Sequence, residues 1–261
     1  MFRTGSTSYV IPDHIVPNVE FLGPLVDDVQ LVLFETDEYG SNLPDPAQIA
    51  RLNELAEEHT LTYTVHLPLD LRLGYDGGGG DVSLIKARRV IDATRGLRPH
   101  AYTLHLDGRR LMSEHDDEVI AQWQEASGRA LELVSEWLDE PEKLSIENLE
   151  AWDPEVFAPL LDILPVGRTI DVGHFWLQGI DPMDHLERWI DRAKVVHLHG
   201  IAERDHASLT HVPAEDLDRV TAFLMDNFAG VVTLEVFSLP DLTSSLDTLA
   251  GSMSRVLGGA S

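Results

Sequence analysis

The sequence contains no cysteine among its 261 residues. Disulfide bonds, thiolate zinc sites and cysteine nucleophiles are therefore excluded, and any metal ion must be held by histidine and carboxylate side chains. The chain also lacks the run of ~18 apolar residues that a membrane-spanning helix needs. Its opening residues, MFRTGSTSYVIP, do not form the apolar segment of a secretory signal. These absences predict a cytoplasmic protein with no membrane partner.

Positive charge is scarce as well. The 19 Lys and Arg residues, of which only three are Lys, stand against 45 Asp and Glu, which gives a formal net charge of -26. Such a field repels polyanions, so we expect no nucleic-acid partner. Apolar residues make up 43% of the chain, enough for one large core, and the length suits a single domain over residues 1–261.

Eight short apolar runs alternate with longer amphipathic segments. The runs that predict strands are residues 5–11, 30–35, 61–67, 101–106, 143–149, 168–172, 194–198 and 231–237. Apolar residues recur at three-to-four spacing in segments that include residues 45–59, 84–94, 118–139, 182–192 and 213–227, which predicts helices. Eight strand-helix units without a glycine-rich first turn favour a closed (β/α)8 TIM barrel over an open doubly wound sheet.

Ionisable side chains recur where six consecutive predicted strands end. They are His66, His105, Glu147, Asp171, His174, His197, His199 and Glu235. In a barrel these strand ends meet at one mouth, so the side chains become neighbours in space. Burying so many charges together costs several kcal/mol per charge unless cations balance them. The sequence therefore predicts a metal centre.

The number of candidate ligands exceeds what one ion takes, so we expect two or three divalent ions. Imidazole and carboxylate without sulfur suit Zn²⁺ first, with Mn²⁺ as the alternative and Fe or Co also compatible. The pair Asp205-His206 follows the seventh strand and either completes the centre or belongs to a solvated acidic loop. His199 lies two residues after His197 and so points to the same side of the strand, where it either supports a ligand or replaces His197.

This pattern resembles the xylose isomerase-like barrel superfamily, which includes endonuclease IV and the sugar isomerases and epimerases, over the full chain. The resemblance implies the shared metal set Glu147, Asp171, His197 and Glu235. Endonuclease IV-like phosphodiesterases add ligands whose positions match His66, His105, His174, Asp205 and His206. That family spaces its loop pair as Asp-x-His, whereas Asp205 and His206 are adjacent here, so Asp205 is the match that departs from the pattern.

The opening GSTSYVIPDHIVPNVEFLGPLVDDVQLVLFE is similar to the start of the cobamide-remodelling phosphodiesterases of this superfamily. The likeness implies a small-molecule substrate, a cobamide, whose nucleotide-loop phosphodiester is hydrolysed with release of cobinamide. It implies catalytic roles for Glu147, Glu235 and His174, with Glu147 bridging two ions. Substrate contacts are expected at Tyr9, Glu35, Arg72, Trp176 and His199, with Arg109, Arg110 and Phe175 as further candidates.

Two other functions stay open. A sugar isomerase or epimerase would use one ion, with Glu147 and Glu235 as paired acid and base. It would leave His66, His105 and His174 without a task, so these histidines discriminate between the two enzymes. A non-catalytic binding protein on the same fold is the second alternative. The four consecutive glycines at residues 77–80 predict either a flexible connector or a lid over the substrate.

Overall fold

Eight parallel strands form the centre of the protein in the computed structural model, which describes residues 1–36, 40–74, 82–108 and 117–259. The strands in chain order are β1 (Arg3–Thr7), β2 (Asp28–Val32), β3 (Glu35–Thr36), β4 (Gly40–Ser41), β5 (Thr62–His66), β6 (Tyr102–His105), β7 (Leu144–Glu147), β8 (Gly167–Asp171), β9 (Ala193–Leu198) and β10 (Val231–Leu234). All but β3 and β4 pair in the closed order β1-β10-β9-β8-β7-β6-β5-β2, and β3 and β4 form a separate antiparallel hairpin. The predicted (β/α)8 barrel is confirmed.

The pairing register brings the ionisable strand ends to one level of the barrel. His105 is the register partner of Glu147, and Asp171 is the partner of His197. Each of these residues is at or near the last position of its strand. Because the strands are parallel, their carboxyl ends all open onto the same face, where (β/α)8 barrels place their sites.

The helices connect these strands and cover the outside of the barrel. They are α1 (Ile15–Leu22), α2 (Pro46–His59), α3 (Val82–Thr94), α4 (Asp117–Ser135), α5 (Ala158–Ile163), α6 (Val172–Leu177), α7 (Met183–Trp189), α8 (Ala214–Asn227) and α9 (Leu239–Gly259). The five predicted helical segments correspond to α2, α3, α4, α7 and α8, with ends that differ by at most four residues. The Asp153-Pro154 pair begins only a short 3-10 turn before α5.

Apolar side chains fill the layer between the barrel and its helices. Trp152, Phe157 and Phe175 are among the largest fully buried side chains. Inside the barrel, small polar side chains pair with each other, as Thr103 Oγ1 and Thr169 Oγ1 do at 3.0 Å. Within the described residues, no helix has the length and apolarity needed to cross a membrane. The glycine run at 77–80 and the candidates Arg109 and Arg110 lie outside the described residues.

Candidate metal centre

Nine ionisable side chains meet at the carboxyl end of the barrel, in three overlapping groups whose candidate ligand atoms lie within 4.8 Å of one another. The groups are His66, His105 and Glu147; then Glu147, Asp171, His197 and Glu235; then Asp171, His174, His199 and His206. Glu147 belongs to the first two groups and Asp171 to the last two. The structure therefore brings together every predicted metal ligand except Asp205, and it adds His199.

The first group is formed by the ends of β5, β6 and β7. The Nε2 atoms of His66 and His105 lie 3.3 Å and 2.9 Å from Glu147 Oε2. His66 Nδ1 is 2.7 Å from the carbonyl oxygen of Leu67, which can only accept a hydrogen bond, so Nδ1 carries a proton and Nε2 is the nitrogen available to a cation. Both histidines consequently present Nε2 toward one carboxylate oxygen.

The second group surrounds His197 on β9. Its Nδ1 lies 2.9 Å from Glu147 Oε1 and 3.0 Å from Glu235 Oε2. On its other side, Nε2 lies 2.8 Å from Gln30 Oε1, and the Gln30 amide also donates to Glu235 Oε1 at 3.4 Å. Gln30 is a site residue that the sequence analysis missed. Its sequence signal is an amide among the apolar residues Val29, Leu31 and Val32 of β2, and the structure buries it fully.

The third group is built around the junction of β8 and α6. Asp171 Oδ1 accepts the backbone N–H of His174 at 2.7 Å, which caps α6 and fixes the two side chains one turn apart. His174 Nδ1 lies 3.0 Å from the carbonyl oxygen of Asn148, so Nε2 faces the opening. The Asn148 side chain bonds both the N–H and the carbonyl of Asp171, each at 2.8 Å. The sequence analysis also missed Asn148, which directly follows Glu147, the last residue of β7 and the predicted ligand there.

Charge at this centre is balanced only by protons on imidazole when no cation is bound. Burial alone would raise the pKa of Glu147, but His197 and His105 outweigh it and hold that pKa well below its usual range. Burial opposes the charged form of His174 too, yet Asp171 and Glu147 raise its pKa to about 9. Protonated His174 thus carries part of the positive charge that ions would otherwise supply.

The donor set fits divalent cations. Asp171 Oδ2 and His199 Nε2 are buried atoms without a hydrogen-bond partner, and both belong to the third group. Buried polar atoms are rarely left unpaired, and an ion between these two and their neighbours would satisfy both. Histidine nitrogen and carboxylate oxygen without sulfur suit zinc and manganese.

A cavity of about 270 Å³ opens onto the centre. His66, His105, Glu147, Glu150, His174, Asp205, His206 and Glu235 form its ionisable lining. The remaining lining residues are apolar, namely Val32, Leu69 and Phe237. These three come from β2, from the loop after β5 and from the segment after β10. The cavity lining therefore combines ionisable and apolar side chains.

Three of the expected substrate contacts lie near the mouth but are not among the residues that line this cavity. Tyr9 packs against Phe34 with ring centroids 6.5 Å apart. Glu35 Oε1 accepts a hydrogen bond from Arg89 of α3 at 2.7 Å, and together with Ser41 this interaction lowers the Glu35 pKa. Arg72 Nη1 lies 3.5 Å from Asp107 Oδ2. Their contact with substrate stays a prediction.

The two aromatic walls expected after Asp171 do not border the metal centre. Phe175 is fully buried and stacks on His185, with centroids 4.2 Å apart. Trp176 lines a different cavity of about 460 Å³, together with Ile201 and His211. The reason is the early start of α6, which turns these side chains outward from the barrel axis. The apolar wall of the mouth is instead formed by Val32, Leu69 and Phe237.

The fold and the site together define a (β/α)8 barrel with a histidine and carboxylate centre at its carboxyl end. The chain belongs to the xylose isomerase-like TIM barrel family, whose model matches residues 26–252. This confirms the superfamily resemblance seen in the sequence. A search of curated protein sequences gives no match.

Solved structures share the fold at low sequence identity. A D-tagatose 3-epimerase-like protein is 17% identical with a TM-score of 0.77, and the alignment covers 100% of both chains. Endonuclease IV from Thermus thermophilus is 21% identical with a TM-score of 0.73, covering 97% of this chain and 99% of its own. L-ribulose 3-epimerase is 13% identical with a TM-score of 0.69, covering 100% and 97%. These similarities establish the fold, and the reaction must be argued from the site.

Proposed function

We propose that this protein is a metal-dependent phosphodiesterase. The observation that carries the proposal is the presence of two ligand groups beside the central one. Glu147, Asp171, His197 and Glu235 would suffice for one ion, yet His66 and His105 add a second group and His174, His199 and His206 add a third. A single-ion isomerase does not require these additional histidines, whereas a multinuclear hydrolase does.

The chain's own residues hold and connect the ions. Glu147 offers Oε2 to the first group and Oε1 to the second. Glu235 Oε2 contacts His197 Nδ1 at 3.0 Å and His206 Nε2 at 3.4 Å, which joins the second group to the third. Bound ions of this kind lower the pKa of water and stabilise charge on phosphoryl oxygens. Because Glu147, Glu235 and His174 line the cavity, they border the space that a phosphoryl group would occupy.

For the substrate we propose a cobamide, cleaved at the phosphodiester of its nucleotide loop. Water adds to phosphorus and one P–O bond breaks, giving an alcohol and a phosphate monoester. The support is the similarity of the opening sequence, together with a cavity whose lining combines ionisable and apolar side chains. The net charge of -26 disfavours duplex DNA, which needs a basic surface.

A sugar isomerase or epimerase is the second candidate, and one observation favours it. Glu147 and Glu235 both contact the same nitrogen, His197 Nδ1, so two carboxylates flank one ligand position. Such a pair can take a proton from one face of a sugar and return it on another. This reading leaves the first and third groups unexplained.

The deciding experiment measures metal content and turnover on the same preparation. Ions per chain are counted by plasma mass spectrometry, and the protein is incubated with a cobamide and, separately, with ketohexoses. We expect two or three ions and a corrinoid that has lost its nucleotide. One ion with ketose interconversion would support the isomerase, and bound ions with neither product would support a binding protein.

His105→Ala is the matched variant for this assay. It removes one of the three side chains in the first group, so phosphodiester hydrolysis should fall by ~10²-fold or more. His105 lies on the cavity wall, so circular dichroism should show an intact barrel. His211→Gln, an exposed histidine outside the three groups, serves as the control and should keep its activity. Full activity in the His105 variant would remove the first group from the mechanism.

A further inference from the structure

His199 occupies a position that sequence spacing alone could not interpret. Its ring is fully buried at the end of β9, and Nε2 lies 3.2 Å from Asp171 Oδ1 without forming a hydrogen bond. Its ring centroid lies 4.3 Å from that of His206 and 5.5 Å from that of His174. An unpaired imidazole nitrogen therefore points into the third group.

The opposite ring nitrogen of His199 is held by oxygen acceptors. Nδ1 lies 3.2 Å from Asp205 Oδ1 and 3.3 Å from the carbonyl oxygen of Gly200. A proton on Nδ1 satisfies these acceptors and leaves a lone pair on Nε2. A carboxylate behind a histidine is the usual arrangement for an imidazole that binds a metal ion.

Gly173 creates the space in which this ring lies. A Cβ atom at position 173 would be 2.2 Å from His199 Nε2 and Cε1, a distance that no real contact reaches. Gly173 is the second residue of α6, between Asp171 and His174, so the helix can approach the ring only at this residue. Glycine at position 173 thus leaves room for the His199 ring to face Asp171, because any other residue type would place a Cβ atom in the ring.

Asp205 lies outside the third group, although it is close to it. Its Oδ1 accepts the backbone N–H of His206 at 2.9 Å, and its Oδ2 lies 3.6 Å from His206 Nδ1. Its side chain remains 28% exposed, whereas that of Asp171 is completely buried. His206 adopts a left-handed backbone conformation with φ 54°, which turns its ring inward immediately after Asp205. The His206 ring thus enters the third group, while the Asp205 carboxylate stays at the edge of this group, with Oδ2 3.8 Å from His174 Nε2.

We propose that His199, through Nε2, is a ligand of the third ion, and that Asp205 positions His199 and does not itself bind the ion. Asp171, His174 and His206 complete the set. This inference rests on the multinuclear centre of the proposed function. It assigns the third ion to a carboxylate and three histidines, with the loop carboxylate behind one of them.

The test compares three variants by the number of zinc ions bound at saturating free Zn²⁺ and by competition with a chelator. His199→Gln and Gly173→Ala should each lower the number by one ion. Asp205→Ala should keep the full number at saturation, while the affinity of its weakest ion falls by about 10- to 100-fold. His211→Gln and Gly251→Ala, which lie outside the three groups, control for loss of a histidine and for addition of a methyl group.

The opposite pattern would overturn the assignment. If Asp205→Ala loses an ion at saturation while His199→Gln keeps the full number, the loop carboxylate is the ligand. Asp205 belongs to a partly exposed loop, so this variant keeps the test decisive even if a change at buried His199 impairs folding. A wild-type protein that binds fewer than three ions would also contradict the inference. Three ions without phosphodiester cleavage would refute the proposed function alone.

Discussion

His66, His174 and His197 each present one ring nitrogen to the centre because an oxygen acceptor holds the other. The carbonyl oxygens of Leu67 and Asn148 do this for His66 and His174. For His197 the acceptor is a side chain, Gln30 Oε1. A fixed tautomer and ring direction raise metal affinity, so these acceptors belong to the centre as much as the ligands do.

Gln30→Leu tests this role on a side chain that can be replaced at similar volume. The variant removes the acceptor of His197 Nε2, and we expect the affinity of the second ion to fall by about 10- to 100-fold. Chelator competition measures the affinity. Gln124→Leu, on α4, is the control and should bind as tightly as wild type. Equal affinity in the Gln30 variant would show that His197 is oriented by its other contacts.

Asp28 gives a pH dependence that is separate from the metal ligands. Burial raises its pKa from 3.8 to about 6, in spite of hydrogen bonds from Thr62 and Thr64. Below pH 3.8 both the folded and the unfolded state are protonated. Between pH 3.8 and about 6 the unfolded state ionises first, so the free energy of unfolding decreases by roughly 2–3 kcal/mol as pH rises.

Asp28→Asn removes this titration. The stability of the variant relative to wild type should therefore improve by about 2 kcal/mol between pH 4 and pH 7, as measured by urea unfolding at each pH. Subtracting the free energy of unfolding of wild type from that of the variant at each pH cancels the pH dependence that the other carboxylates contribute to both proteins. A difference that stays constant over this range would mean that Asp28 remains ionised in the folded protein.

The clustering of the side chains at the strand ends was predictable because the carboxyl ends of parallel strands converge at one face of the barrel. Seven of the nine clustered side chains were named as metal ligands on that basis, and His206 was added from the loop pair that the family resemblance implies. The sequence could not decide whether His199 or Asp205 is the metal ligand. Residue spacing shows on which side of the strand a side chain lies, but not how deeply its ring is buried in the site. Gln30 and Asn148 carry no strand-end signature, and only the packed structure shows which nitrogen each one faces.

At the scale of elements, α2 has the most complete helix signal. Asp45 accepts the backbone N–H of Gln48 at 2.8 Å, the Gln48 side chain accepts the N–H of Asp45 at 2.9 Å, and Pro46 begins the helix. Asp45→Ala should lower the free energy of unfolding by about 1 kcal/mol, measured by urea denaturation. Metal content should not change. A loss below the error of the measurement would show that packing alone holds this end of α2.

Apolar spacing identified all the barrel strands and five helices, but α9 was missed although its leucines recur at three-to-four spacing. The eight predicted strands all exist, with ends that differ by at most four residues. Helices α1, α5, α6 and α9 are not among the five segments predicted from apolar spacing. The α9 sequence is rich in Ser, Thr and Gly, which form helices poorly in isolation, and packing against α8 supplies the stability that its sequence lacks.

For the whole molecule, the ions should contribute to stability because they balance buried carboxylates. Glu147, Asp171 and Glu235 are each at most 5% exposed. Each ion present at a hundred times its dissociation constant stabilises the folded state by about 2.7 kcal/mol, so a chelator should lower Tm by roughly 5–10 °C for each ion removed. Added Zn²⁺ should restore it. Calorimetry showing the same Tm with and without chelator would argue against bound ions.

The central claim is that side chains from separate strands share cations at the mouth of the barrel. Diffraction from zinc-loaded crystals, recorded on both sides of the zinc absorption edge, tests it most directly. We predict anomalous peaks in each of the three groups, at about 2.0–2.3 Å from their nitrogen and oxygen atoms. The absence of any peak between His66, His105 and Glu147 would contradict the account.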